Sequence, residues 1–130
     1  VYARGLDWTI SESSGPVQVV SSGFEKAAAR GGIVKLGDVV STGRNGRVVL
    51  VRGQEYLVVA PGSRLQIAEP KAGGMTRIVQ TLGNALFKIK KMATPHFAVE
   101  TPYLAAVVKG TTFSVTVTDD AASVQVTEGR

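Results

Sequence analysis

The sequence predicts an all-β protein, a single-domain antiparallel β-sandwich with a jelly-roll-like arrangement; a β-solenoid is the alternative. Apolar runs of strand length recur at intervals of about ten residues, as in sandwiches and barrels. The 15 glycines fall mostly between those runs, where they suit turns. The runs share too little sequence to be called an internal repeat. We expect residues 1–14 to form an N-terminal strand or extension of a β domain at residues 15–130, within one globular unit.

The strongest strand pattern lies near the C-terminal end of the chain. Residues from Phe113 to Val117 alternate between apolar and polar, which predicts a strand with one buried face. Asp119-Asp120 is the expected turn, and Val124 and Val126 then alternate with polar residues in a second half-buried strand. Together the two segments predict an antiparallel hairpin.

A fully apolar run precedes that hairpin. Every position from Leu104 to Val108 is apolar, which predicts a strand covered on both faces. Gly110 separates this run from the hairpin, so we expect its backbone to bend or to adopt a positive φ.

Two short strands are predicted near the N-terminal end, at Leu6 to Ile10 and at Val17 to Val20. The turn-forming sequence Ser13-Ser14-Gly15-Pro16 lies between them, so they are expected to pair as a first hairpin. The segment Glu25 to Arg30 contains good helix formers but is too short for a stable helix. We expect a loop there, with at most one helical turn.

Residues 37–67 contain four apolar runs, which predict a meander. The expected turns are Asn45-Gly46, Gly53 and Pro61-Gly62. The next run, Thr76 to Leu82, fits either a helix or a strand by pattern, and we favour a strand that continues through the following residues.

A short apolar run, Phe97 to Glu100, stands between Pro95 and Pro102. Because proline cannot donate a hydrogen bond to a neighbouring strand, we expect this segment to be a strand at or near the edge of a sheet.

Few residues are available for catalysis or for binding a metal. There is no cysteine and His96 is the only histidine, which excludes a thiol nucleophile and a transition-metal site with several such ligands. His96 is interpreted as a loop residue, and Asp119-Asp120 as a solvated turn rather than a calcium site. Glu55 and Glu100 could serve as an acid–base pair only if the fold brought their side chains together, and no sequence pattern indicates that it does. We therefore expect no enzyme activity, no cofactor and no bound metal.

The net charge of +5 is spread along the chain and suits either a soluble basic surface or an anionic partner. Lys88, Lys90 and Lys91 form an exposed basic cluster, which could attract an anionic cell-wall polymer or a lipid head group, or could simply keep a sheet edge soluble. The phenylalanines fit a core, so too few aromatic residues are left for nucleic-acid binding. No run is long and apolar enough for a membrane helix.

Several motifs taken together resemble the FecR domain family. They are GDVVSTG at 37–43, GRVVL at 46–50, PGSRL at 61–65, TPHFAVETP at 94–102, VVKGTTFSV at 107–115 and VQVTEG at 124–129. The residues that carry the resemblance are Gly37, Asp38, Thr42, Gly43, Gly46, Ser63, Phe97, Thr101, Pro102, Gly110, Thr111 and Phe113. Two positions depart from the family's pattern, because Arg52 precedes Gly53 where an acidic residue is common and Lys109 replaces an arginine.

The resemblance implies a sandwich-like domain on the outer side of a bacterial inner membrane, periplasmic or secreted. In the iron-transport regulators that name the family, such a domain follows a membrane helix and an anti-sigma segment and receives a signal from an outer-membrane receptor. A similar domain occurs beside cell-wall-binding modules. We therefore expect a non-catalytic envelope module for protein interaction or signal sensing, with another envelope protein as its partner. The alternatives are the periplasmic sensor part of an anti-sigma-factor regulator of iron uptake, and a module that binds cell-wall polysaccharide or anionic lipid.

Overall fold

A computed structural model of the chain describes residues 7–71 and 75–129, which form strands and no helix. In chain order the strands are β1 (Trp8–Ser14), β2 (Val17–Ser21), β3 (Phe24–Ala27), β4 (Ile33–Val34), β5 (Val39–Thr42), β6 (Arg47–Arg52), β7 (Glu55–Val59), β8 (Arg64–Lys71), β9 (Met75–Lys88), β10 (Phe97–Glu100), β11 (Ala105–Val108), β12 (Thr111–Val117) and β13 (Ala122–Gly129). The sheet curls on itself into a sandwich-like fold. The all-β prediction is confirmed, and the described residues show no solenoid.

The curled sheet has two parts, which we call sheet I and sheet II. Sheet I has the strand order β4-β1-β6-β7-β9-β12-β13. Sheet II has the order β3-β2-β5-β8-β9-β10-β11. Neighbouring strands in the described part of the chain are antiparallel, except that β10 runs parallel to β9.

Strand β9 belongs to both sheets and forms the corner between them. Its first part pairs with β8 and β10, and its second part pairs with β7 and β12. The buried positions are Ile78 and Gln80 in the first part but Ala85 and Phe87 in the second. The side chains that point into the core are therefore at even-numbered positions in the first part and at odd-numbered positions in the second. A register shift against β8 and the positive φ of Gly83, 92°, accompany this change. The irregularity near Gly83 therefore allows one strand to direct side chains into the core from both sheets.

The core is organised around a row of four fully buried aromatic rings. Trp8 meets Phe97 edge-on with ring centres 6.5 Å apart, and Phe97 meets Phe87 at 6.0 Å. Phe87 stacks on Phe113 at 5.1 Å. Because these residues come from β1, β10, β9 and β12, their contacts join both sheets and the N-terminal strand in one core. The division of the chain at residue 15 remains a prediction.

The prediction of a first hairpin is wrong. Strand β1 pairs with β4 and β6, and β2 pairs with β3 and β5, so the turn at Gly15-Pro16 carries the chain from sheet I to sheet II. Leu6, the start of the first predicted strand, lies outside the described residues.

The predicted loop at residues 25–30 is also partly wrong, because its first residues belong to β3. This strand forms a hairpin with β2 through Ser22 and Gly23, which have φ values of 52° and 84°. Two successive positive φ values match the right-handed twist of a hairpin, and pairing with β2 outweighs the helical propensity of the segment.

The meander prediction is correct only for the hairpin of β6 and β7 around Gly53. Strands β5 and β8 pair with each other in sheet II, so the four runs are divided between the sheets. A turn such as Asn45-Gly46 can lead the chain across the sandwich as well as back along the same sheet, and local sequence does not distinguish these outcomes. The preference for a strand from Thr76 onward is confirmed by β9.

Three predictions of strand exposure are wrong. Strand β10 lies between β9 and β11 rather than at an edge, because its flanking prolines are outside the strand and leave its hydrogen bonds intact. Strand β11 is itself an edge strand, and Val107 is exposed rather than covered. Strand β13 forms the expected hairpin with β12, but Val124 and Val126 are not half-buried: their exposed fractions are 36% and 61%.

Candidate functional site

Most of the residues that carry the family resemblance have structural roles in the fold. The buried hydroxyl of Thr42 donates to the carbonyl of Ala60 at 2.6 Å and accepts from the N–H of Ser63 at 2.9 Å. The hydroxyl of Ser63 donates to the carbonyl of Asn84 at 3.1 Å and accepts from the N–H of the same residue at 2.9 Å. A Cβ at Gly83 would lie 2.2 Å from that hydroxyl. This network fixes β5 and β8 against the corner of β9.

The other residues of the resemblance have similar structural positions. Asp38 is buried and accepts a hydrogen bond from the N–H of Lys35 at 2.9 Å. The hydroxyl of Thr101 accepts from the N–H of Leu104 at 2.9 Å and closes the turn between β10 and β11. Phe97 and Phe113 belong to the core, whereas Gly37, Gly43, Gly46, Pro102 and Thr111 lie in loops or at a strand end. These contacts stabilise the fold and do not form an exposed binding surface.

Gly110 brings the connection between β11 and β12 close to the segment after β9. Its φ is 148°, and a Cβ there would lie 2.3 Å from the Cα of Lys91. Next to this contact, the N–H of Ile89 donates to the carbonyl of Thr111 at 2.9 Å. The absence of a side chain at position 110 therefore allows the lysine-bearing segment to pack against the start of β12.

The predicted basic cluster lies along one open groove. Lys88, Lys90 and Lys91 are all exposed and line a groove with a volume of about 470 Å³. The groove is completed by Gln54, Ile89, Thr111 and Thr112. Among the described residues, none of the three lysines has a carboxylate partner within 4.0 Å. We call this feature the lysine groove.

Both backbone polar groups of Lys90 are hydrogen-bonded to side chains. Its N–H donates to Oε2 of Glu55 at 3.1 Å, and its carbonyl accepts from Nε2 of His96 at 2.6 Å. Because a carbonyl oxygen only accepts hydrogen bonds, Nε2 is the donor in this contact. Glu55 is only 6% exposed, and its other oxygen accepts from Arg52 at 2.8 Å. His96 lies in a loop, as predicted, but it also positions one lysine of the groove.

The two acidic residues considered as a catalytic pair each have an arginine partner. Glu55 pairs with Arg52, and Glu100 pairs with Arg77 at 2.9 Å. Within residues 7–71 and 75–129, no group of three or more histidine, cysteine, aspartate or glutamate side chains is placed to hold a metal ion. The same residues contain no helix that is long and apolar enough to cross a membrane.

A second exposed feature is the outer side of β13, which we call the β13 edge and define by Val124, Val126 and the adjoining backbone. Strand β13 has eight residues and pairs only with β12 in the described part of the chain. Val124 and Val126 lie opposite Val115 and Phe113, so they face the same side as these buried residues. Sequence reasoning missed this exposure, because an alternating strand has the same pattern whether or not another layer covers its apolar face.

Comparison with known proteins identifies the family of this chain. A family model described as FecR protein matches residues 38–130, which include β5 to β13. No curated protein and no solved structure matches the chain. The FecR family consists of regulatory, non-catalytic domains of the bacterial periplasm, whose members interact with other envelope proteins. The match covers well over half of the sequence and contains all the motif residues named above except Gly37, so the chain belongs to the FecR family.

Proposed function

We propose that this chain is a non-catalytic, signal-sensing module of the bacterial periplasm that docks another envelope protein at the β13 edge. Interaction with envelope proteins is a property of FecR-type regulators, which supports a protein as the partner. The observation that carries the proposal is the orientation of Val124 and Val126, which face the side of the core but remain exposed, with no strand of the described part of the chain over them. A strand added beside β13 would extend sheet I, and its apolar side chains on the same face would pack beside both valines.

The β13 edge suits strand addition better than the other edges of the two sheets. Strand β3 is short and carries the exposed charges of Glu25 and Lys26, and β4 has two residues. Strand β11 is uncharged but has four residues, half the length of β13. Charged and short edges resist pairing with another strand. By contrast, β13 carries no charged side chain from Ala122 to Thr127.

The side chains of the β13 edge indicate which kind of partner segment would bind there. Main-chain hydrogen bonds to β13 would supply affinity, and side chains at alternate positions would supply selectivity. Apolar residues of the partner would pack on Val124 and Val126, while uncharged polar residues would lie beside Ser123 and Gln125. The expected partner segment is therefore an extended, uncharged stretch with alternating apolar residues.

Site-specific photo-crosslinking tests the proposal in bacteria that produce the whole protein. A crosslinker placed at Val126 should capture a partner, and mass spectrometry would identify the attached segment. A synthetic peptide of that segment should then bind and should slow hydrogen exchange at the β13 amides that are not bonded to β12. Because the contact is apolar and main-chain in character, binding should persist at high ionic strength.

Two matched substitutions separate a specific site from general surface effects. Val126→Lys should abolish peptide binding, whereas Phe24→Lys, at a residue 78% exposed on β3, should leave it unchanged. Equal effects of the two substitutions, or exchange protection away from β13, would contradict the proposal. Capture of a second copy of this chain would assign the edge to self-association instead. Capture of an outer-membrane receptor for iron complexes would favour the narrower role in anti-sigma regulation of iron uptake.

A further inference from the structure

The lysine groove is a separate feature that docking at the β13 edge does not use. Its walls carry three ammonium groups, two threonine hydroxyls and the amide of Gln54. Among the side chains that the structure describes, no aspartate or glutamate lines it. A groove with this composition attracts anions, and its hydroxyl and amide groups can also bond to neutral oxygens of the same ligand.

The groove is held in place rather than formed by free lysines on a mobile loop. The N–H and carbonyl of Lys90 are bonded to Glu55 and His96, as described above. The N–H of Met92 also donates to the carbonyl of Lys109 at 2.9 Å. Fixing the backbone beneath the lysines lowers the entropy that a ligand must remove on binding, which is expected of a binding site more than of a solvated face.

The arrangement favours a linear anionic chain over a lipid bilayer. Lys88 and Lys90 are two positions apart, so their Cα atoms are separated by roughly 7 Å along an extended backbone. Several anionic groups on one chain can therefore engage the lysines at the same time, which raises the overall affinity. Surfaces that bind membranes combine basic residues with several exposed apolar ones that enter the lipid. Here Ile89, the apolar residue of the groove, is buried, and Met92, which is 47% exposed, follows Lys91 outside the lining.

We propose that the lysine groove binds an anionic polysaccharide through its carboxylate or phosphate groups. Lys88, Lys90 and Lys91 neutralise the charges, and Thr111, Thr112 and Gln54 bond to sugar oxygens. The site is distinct from the β13 edge, so Val126→Lys should leave polysaccharide binding unchanged.

Binding can be measured with labelled polygalacturonate as a carboxylate probe and a phosphorylated dextran as a phosphate probe. Neutral dextran of matched length is the control ligand. The purified chain should bind at least one charged polymer and not the neutral one, and added salt should weaken binding because the contacts are exposed. The combined substitutions Lys88→Gln, Lys90→Gln and Lys91→Gln should weaken binding by about tenfold or more, since each exposed ion pair contributes a few-fold.

A second variant removes the same amount of charge elsewhere. Lys26→Gln, Arg30→Gln and Lys35→Gln are changes at exposed residues outside the groove, and together they should alter binding by less than about twofold. Equal weakening in the two variants would show attraction by net charge alone and would overturn the proposal. Binding to phosphatidylglycerol vesicles that is tighter than polymer binding and equally dependent on the groove lysines would also overturn it, in favour of a lipid ligand.

Discussion

Glu55 and His96 bind the two backbone polar groups of the same residue, because the carboxylate of Glu55 accepts from the N–H of Lys90 while the ring of His96 donates to its carbonyl. Nδ1 of His96 lies 3.9 Å from Oε2 of Glu55. The carboxylate also pairs with Arg52, whose guanidinium lies 4.6 Å from the ring centre of Trp8. One buried acidic residue thus connects the lysine groove to the aromatic core.

Replacing Glu55 should destabilise the protein. Glu55→Gln removes the charge that balances the largely buried guanidinium of Arg52, and we expect a loss of about 2 kcal/mol in the free energy of unfolding. Urea denaturation followed by circular dichroism would measure it. Glu12→Gln is the control, because Glu12 pairs with Arg47 at 3.5 Å on the exposed surface and should have little effect. Equal stability of the two variants would mean that the pair with Arg52 contributes nothing.

Gly110 should tolerate a side chain less well than Gly53, a glycine of positive φ that has open space around it. Gly110→Ala places a Cβ 2.3 Å from the Cα of Lys91, so we expect a loss of about 3 kcal/mol. Gly53 has a φ of 61°, and no atom lies within 4 Å of the point that a Cβ would occupy there, so Gly53→Ala should cost only about 1 kcal/mol. Thermal melting of both variants separates the two costs. Gly110→Ala suffers steric crowding and backbone strain, whereas Gly53→Ala suffers backbone strain alone. A loss at Gly110 no larger than that at Gly53 would refute the close-packing argument.

Removing the hydroxyl of Ser63 should destabilise the protein. Ser63→Ala removes the acceptor of the Asn84 N–H and one of two donors to the Asn84 carbonyl, which also accepts from the N–H of Ala60 at 3.0 Å. We expect a loss of about 1–2 kcal/mol in the free energy of unfolding. Ser123→Ala, at an exposed position of β13, should be neutral in the same denaturation experiment. A neutral Ser63→Ala would show that solvent replaces these bonds at the corner of β9.

Trp8 tests whether the N-terminal strand is part of the folding unit. Trp8→Ala would leave a cavity beside Phe97, and we expect a loss of about 3–5 kcal/mol; Trp8→Phe should cost less because it keeps a ring in the site. Calorimetry of both variants would also show whether unfolding remains one transition. Little destabilisation by Trp8→Ala would favour a β domain that begins at residue 15 and does not need β1.

Local sequence was sufficient to identify several strands and two hairpins. The alternation in β12 and β13, with Asp119-Asp120 between them, predicts their antiparallel pairing, and Gly53 similarly predicts the hairpin of β6 and β7. The motif residues predict the family, because residues such as Thr42 and Ser63 make bonds that this fold requires. The lysine cluster is also evident from sequence, since its three members are close along the chain.

The tertiary structure alone decided which sheet each strand joins and which strands lie at the edges. An alternating pattern shows that one face of a strand is apolar, but it does not show what covers that face. Phe97 and Val126 both lie in short apolar patterns, yet among the described strands β10 has a neighbour on each side and β13 has one. The number of neighbours depends on contacts between residues far apart in the chain, such as the parallel pairing of β10 with β9. For the same reason, only the folded chain brings both Glu55 and His96 to the backbone of Lys90.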